Sequence, residues 1–172
     1  MKGSRFAAVA AVVVVAGCSS GPKPAPTQST FVLPSAAASL TPAVYMSLVS
    51  NVSLFAVRAS EIAQQRGNAR TRDAARAIVA DQTGVGAQLS YAGRRLDLLP
   101  SAALNPPLAD DLERLRTSTD FDSDYRRLVG DALARALAAH QTFARGGSSP
   151  TLRPVAEMAA PVTKKNLDAV RR

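Results

Sequence analysis

From Thr41 to the C-terminus, apolar residues recur at steps of three and four, the spacing that returns side chains to one face of an α-helix. Tyr45, Leu48, Val52, Phe55, Ala59 and Ile62 make the first stripe. Thr41 as N-cap and Pro42 at the first helical position predict its start, and Gly67-Asn68 its end. A second stripe, Ala75, Ile78, Gln82, Val85, Leu89, Ala92, Leu96 and Leu99, predicts a helix over Thr71–Leu99 that Pro100 halts. Gln82 is its one polar member, placed where an amide must find partners or cost stability. Gly84, Gly86 and Gly93 weaken this helix, and their clustering predicts that a neighbouring backbone comes close there.

Asn105-Pro106-Pro107 opens a short helix reaching about Thr117. The next long helix starts near Asp120-Phe121-Asp122, with either Asp as its cap. It buries Tyr125, Val129, Ala132, Ala136 and Phe143, sets Leu128, Leu133 and Leu137 at the edges, and ends at Gly146-Gly147. The last helix runs from about Pro150 with a seam of Val155, Ala159, Val162, Asn166 and Ala169. Pro154 is tolerated in its first turn, whereas Pro161 predicts a kink or a break. Asn166 repeats the pattern of Gln82, one amide on an apolar stripe. The pair is expected to meet between the second and last helices, either fixing register or marking an altered ligand pocket.

Four amphipathic helices joined by short links predict an all-α fold, an antiparallel four-helix bundle over residues 41–172. Composition supports this. Hydrophobic residues make up 47% of the chain but aromatics only 5%, so Ala, Val and Leu carry the core, and no stretch alternates as a strand would.

The pattern changes upstream. Lys2 and Arg5 precede the apolar run Phe6–Val15, which is too short to span a bilayer comfortably and has the form of an export signal. It closes on Val15-Ala16-Gly17-Cys18, which resembles the bacterial lipobox. The resemblance implies cleavage of a 1–17 lipoprotein signal peptide, lipidation of the Cys18 sulfur and acylation of the new amino group. The alternative, a buried N-terminal helix ending on a cysteine, sits poorly with the cationic start and the polar stretch that follows. Residues 18–40, with Pro22, Pro24, Pro26 and Pro34, read as a disordered tether in which Phe31-Val32-Leu33 is a small apolar patch. The expected location is the cell envelope, membrane-anchored through Cys18. Ser19 in place of Asp after the cysteine implies the periplasmic face of the outer membrane in a Gram-negative cell.

The candidate chemistry is sparse. Cys18 is the single cysteine and His140 the single histidine, so neither a Cys/His nucleophile nor a His-rich metal site can be built. His140 is expected to pack half-buried, and Glu61 to pair with a surface arginine such as Arg58. Asp110, Asp111, Glu113, Asp120, Asp122 and Asp124 suit helix N-termini and lack the ligand rhythm of a calcium loop. No catalytic residue, cofactor or metal is therefore assigned. The formal charge of +8 is mostly arginine. An export signal and few aromatics argue against nucleic acid, leaving two readings of the basic residues: a solvated charged surface, which is the first expectation, or attraction to anionic lipid or an anionic cell-wall polymer.

In order and spacing, Gly67-Asn68, Ala75…Ile78-Val79-Ala80-Asp81, Leu96…Leu99-Pro100, Phe121-Asp122-Ser123-Asp124-Tyr125 and Pro161…Asn166-Leu167 resemble landmarks of the DUF4142 family of bacterial envelope proteins. The resemblance spans about Tyr45–Val170 and implies a ferritin-like four-helix bundle. Family members commonly carry Asp-His where this chain has Asp81-Gln82, and a late His where it has Asn166. By spacing, the family's first-helix Glu falls on Phe55, and a His of the next-to-last helix falls near Leu133. Neutral amides and apolar side chains are poor ligands for zinc or iron. The expected function is thus a non-catalytic, lipid-anchored envelope protein acting as a structural or interaction module. Two rivals remain, a metal- or redox-active bundle using Glu61, Asp81 or His140, and a basic module that binds anionic lipid or cell-wall polymer.

Overall fold

The computed structural model describes residues 40–172, so Cys18, the expected signal peptide 1–17 and the expected tether up to Ser39 lie outside the described residues. Within them there are five helices and no strand: α1 (Pro42–Arg66), α2 (Ala69–Arg94), α3 (Pro106–Thr117), α4 (Phe121–Gly146) and α5 (Arg153–Arg171). Side-chain caps open three of them. Thr41, Asn68 and Asn105 each accept a hydrogen bond from a backbone N–H of the first turn. Asp120 holds the N-cap position of α4 but makes no such bond. The acidic residues after it are used elsewhere: Asp122 accepts from the Asn68 N–H, and Asp124 from the Ser118 hydroxyl and Arg127.

The four long helices close a ring in which α1 packs on α2 and α4, and α5 packs on both of these as well. Every neighbouring pair is antiparallel. Along α1 and α4, Tyr45 meets His140 at one end and Ser60 meets Tyr125 towards the other. Along α2 and α5, Arg70 reaches the Arg172 carbonyl near one end, and Gln82 meets Asn166 further along. It follows that α2 and α4, diagonal in the ring, run parallel. The chain must then travel the length of α2, about 39 Å at 1.5 Å per residue, before α4 can begin. Residues 95–120 make that crossover, with α3 laid on α1 and α4. The link is therefore long where the sequence suggested short ones throughout.

Arg66, at the end of α1, fixes the far end of the crossover. Its guanidinium donates to the carbonyls of Leu115, Arg116 and Ser118 at 2.5–2.7 Å and lies 4.9 Å from the Phe121 ring centre. Three carbonyls left over at a helix C-terminus are satisfied by one planar cation. Arg66→Ala is expected to lower stability by about 1–2 kcal/mol, with Arg66→Lys recovering only part of it, as read by urea unfolding.

The helix expected to reach Leu99 stops at Arg94. The Leu96 and Leu98 N–H groups both turn back to the Gly93 carbonyl, and Asp97 adopts a positive φ of 52°. Leu96 is consequently half-buried and Leu99 68% exposed, outside the seam. Gly93 permits this turn, because a Cβ there would sit 2.5 Å from the Leu98 carbonyl oxygen and 2.8 Å from the Met46 methyl. The approach is local to Gly93, since a Cβ at Gly84 or Gly86 would meet nothing within 4 Å. Gly84→Ala and Gly86→Ala are expected to raise the melting temperature, each adding roughly 0.5–1 kcal/mol. Gly93→Ala should cost roughly 1–3 kcal/mol through overpacking.

Pro161 neither splits nor ends α5, which runs through it to Arg171. The carbonyl that loses its helical donor belongs to Glu157, an exposed residue that water can satisfy. The buried arc of α5 is also rotated from the expected seam. Ala156, Ala159, Thr163, Asn166, Leu167 and Val170 are buried, while Val155, Val162 and Ala169 are half-buried. Helix α1 meets the length and apolarity of a membrane span, and most of its apolar residues, though not Val44, face the core.

Candidate functional site

The apolar core is divided in two. One cluster gathers Val52–Ala63 of α1, Ala75 and Ile78 of α2, the first half of α4, the leucines of α3, and Leu167 and Val170 of α5. The other gathers Tyr45–Val49, Val85–Ala92, Ala139 and Phe143, and Leu152–Ala159. Along α2 the change from one to the other falls at Gln82, and along α5 at Thr163 and Asn166. A polar belt lies at this level.

The belt is a chain of hydrogen bonds crossing three helices. The Ser53 hydroxyl of α1 donates to Gln82 Oε1 at 2.9 Å. Gln82 Nε2 donates to Asn166 Oδ1 at 2.8 Å. Asn166 Nδ2 donates to Asp81 Oδ2 at 2.6 Å, and the same oxygen meets the Lys165 ammonium at 2.6 Å. Gln82 and Asn166, singled out by their place on apolar stripes, are thus brought together. Ser53 and Asp81 complete the chain from either side, carrying it from the core to the half-exposed Asp81. Each buried amide makes two hydrogen bonds to side chains, so the desolvation of both is offset within the belt. Ser53 was readable from the sequence: Val49, Ser53, Ala56, Ser60 and Ala63 form a second stripe on α1, since this helix has to face α2 and α4 together.

Thr163 shares the belt level and is its one unfinished element. Its hydroxyl is fully buried with no partner among the described residues. Thr163→Val keeps the shape and removes the unsatisfied group, so it is expected to stabilise the protein by about 1–2 kcal/mol in thermal or chemical unfolding.

Two further buried polar pairs join α1 to α4. Ser60 Oγ and Tyr125 OH are 2.7 Å apart, and burial pushes the Tyr125 phenol up to about 12. Tyr45 OH and His140 Nδ1 are 2.9 Å apart, with the Tyr45 ring stacked on Phe143 at 4.1 Å between centroids. His140 is fully buried, beyond the half-buried position expected of it, and desolvation pushes its imidazole down to about 4. It is held neutral at physiological pH, and burial likewise raises the Tyr45 phenol well above its usual range.

The remaining candidates do not converge. Glu61 is exposed and makes no ion pair among the described residues, while Arg58 donates to the Ala102 carbonyl instead. Phe55 and Leu133 are fully buried in the apolar core. Among the described residues no three His, Cys, Asp or Glu side chains come together in a way that would hold a metal ion. Two hollows lie away from the belt. One is a crevice with room for a single water, lined among others by Arg70, Thr71 and Tyr125. The other is an open surface hollow of about 350 Å³ beside Gln88 and Met158.

Neither characterised proteins nor solved structures gave a match to this chain. One family model does match it. The domain of unknown function DUF4142 covers residues 28–172, the five helices together with the stretch just before them, and the chain belongs to that family.

Proposed function

We propose that this protein is a non-catalytic, lipid-anchored component of the cell envelope, whose ferritin-like four-helix bundle serves as a structural or interaction module. The observation that carries the reading is the belt. At mid-bundle, where a ferritin-like frame would present ligands, Gln82 and Asn166 satisfy each other and their neighbours, and Phe55 and Leu133 fill the core. A parallel α2 and α4 joined by a single long crossover is also the connectivity of ferritin-like bundles. The lipobox-like Val15-Ala16-Gly17-Cys18 and the proline-rich stretch after it support the anchor. Acyl chains on Cys18 would hold the protein at a membrane without a spanning helix.

The test is elemental analysis of the full chain expressed with its own signal and purified from membranes without chelator. Iron, manganese and zinc should all fall far below one per chain, and Cys18→Ser should move the protein from the detergent phase to the aqueous phase. Near-stoichiometric metal, or detergent partitioning that ignores Cys18, would count against the reading.

A further inference from the structure

We infer that the end of the bundle where the chain enters α1 is a lipid-facing surface that rests against an anionic bilayer; this builds on the reading of Cys18 as the anchor. The four large hydrophobic side chains most exposed among the described residues are Val44, Tyr91, Leu99 and Met158. All four lie at this end: in the first turn of α1, the last turn of α2, the loop after α2, and the second turn of α5. Single exposed apolar residues are ordinary on any protein surface, but their confinement to one end is not. The open hollow between α2 and α5, lined by Gln88, Pro154, Val155 and Met158, adds apolar surface there.

The charge at this end suits an anionic surface. Arg94, Arg95, Arg145 and Arg153 are exposed, and none forms an ion pair among the described residues. In the segments that form this end, 87–104 and 139–158, Asp97 and Glu157 are the carboxylates. The Arg94 guanidinium lies 5.8 Å from the Tyr91 ring centre, pairing a cation with an amphipathic ring of the kind that settles at headgroup level. The opposite end holds more arginine, but much of it is engaged. Arg66 holds three carbonyls, Arg72 the Gly67 carbonyl, and Arg76 and Arg127 pair with Asp73 and Asp124. None of the large exposed hydrophobics is there.

The anchor would also reach this end first. Leu40, the first described residue, packs against the core cluster beside α1's start, so the preceding chain leaves from here. Residues 19–39 could extend to roughly 70 Å, longer than the bundle. The tether alone therefore leaves orientation open, and the apolar, arginine-rimmed end sets it.

The test uses the full lipidated chain in vesicles of phosphatidylethanolamine and phosphatidylglycerol that contain nitroxide-labelled lipid. A fluorophore is placed on α2 through Gln88→Cys or, at the other end of the same helix, through Ala69→Cys. Quenching at 88 should exceed that at 69 several-fold. Replacing phosphatidylglycerol with phosphatidylcholine should narrow the gap at least twofold, and Tyr91→Ser with Leu99→Ser and Met158→Ser should close it while the chain still floats with the vesicles. Equal quenching, stronger quenching at 69, or a gap indifferent to anionic lipid overturns the inference with the anchor intact. A chain that fails to float, or floats equally well with Cys18→Ser, overturns the anchor itself and this inference with it.

Discussion

Asn166→Ala is expected to lower the stability of the protein by about 2–4 kcal/mol, or a melting temperature roughly 10 °C lower, more than any other belt substitution. The loss exceeds two ordinary hydrogen bonds because of what remains behind. Gln82 Nε2 loses its acceptor while still buried, and the Asp81 carboxylate loses the amide that donates to it. A buried donor without a partner costs its full desolvation, whereas removing both partners together does not. Gln82→Leu with Asn166→Leu should therefore lie much closer to wild type than the two single changes added together. A double-mutant cycle in urea reads this as a coupling of about 1–3 kcal/mol. Strict additivity would mean that the two amides do not sense each other.

Acid is expected to unfold the protein through His140. Its imidazole titrates near 4 in the fold, pushed down by burial, against about 6.5 in an unfolded chain. Between those values the unfolded state binds the proton and the folded state does not, so stability rises with pH across that window. The contribution is fully present above about pH 6.5 and is lost as the pH falls towards 4, amounting to about 3 kcal/mol at the lower end. His140→Gln should flatten stability over this range at some cost to the Tyr45 contact. Denaturant midpoints at pH 7, 5.5 and 4.5 check it, and a wild-type curve flat from 7 to 4.5 would contradict a buried neutral imidazole.

Much of the fold could be read from the chain because period and caps say so. The stripe Ala75, Ile78, Gln82, Val85, Leu89 and Ala92 is buried throughout, and Thr41-Pro42 marks the first helix start. What escaped belongs to contacts that a single stripe does not encode. Leu96 and Leu99 keep the helical spacing, but the turn back onto Gly93 ends the helix before they can use it. Helix α5 packs against both α2 and α4, so its buried arc is wider than one seam and takes in Thr163 and Leu167. The parallel course of α2 and α4 follows from which cores their two halves enter, a matter of tertiary pairing. In the belt, the two amides stood out as polar breaks in apolar stripes. Ser53 shows only as a member of the second α1 stripe, and Asp81 only as a family landmark and candidate ligand; that both join the two amides follows from how the helices meet.

The most direct test of the closed belt is the side-chain amide signals of Gln82 and Asn166 in a nitrogen-15 NMR spectrum of the full chain. The account predicts NH₂ protons that exchange slowly with solvent and do not shift or broaden when zinc or manganese is added. Rapid exchange, or signals that move with metal in proportion to its amount, would show an open ligand pocket at mid-bundle instead.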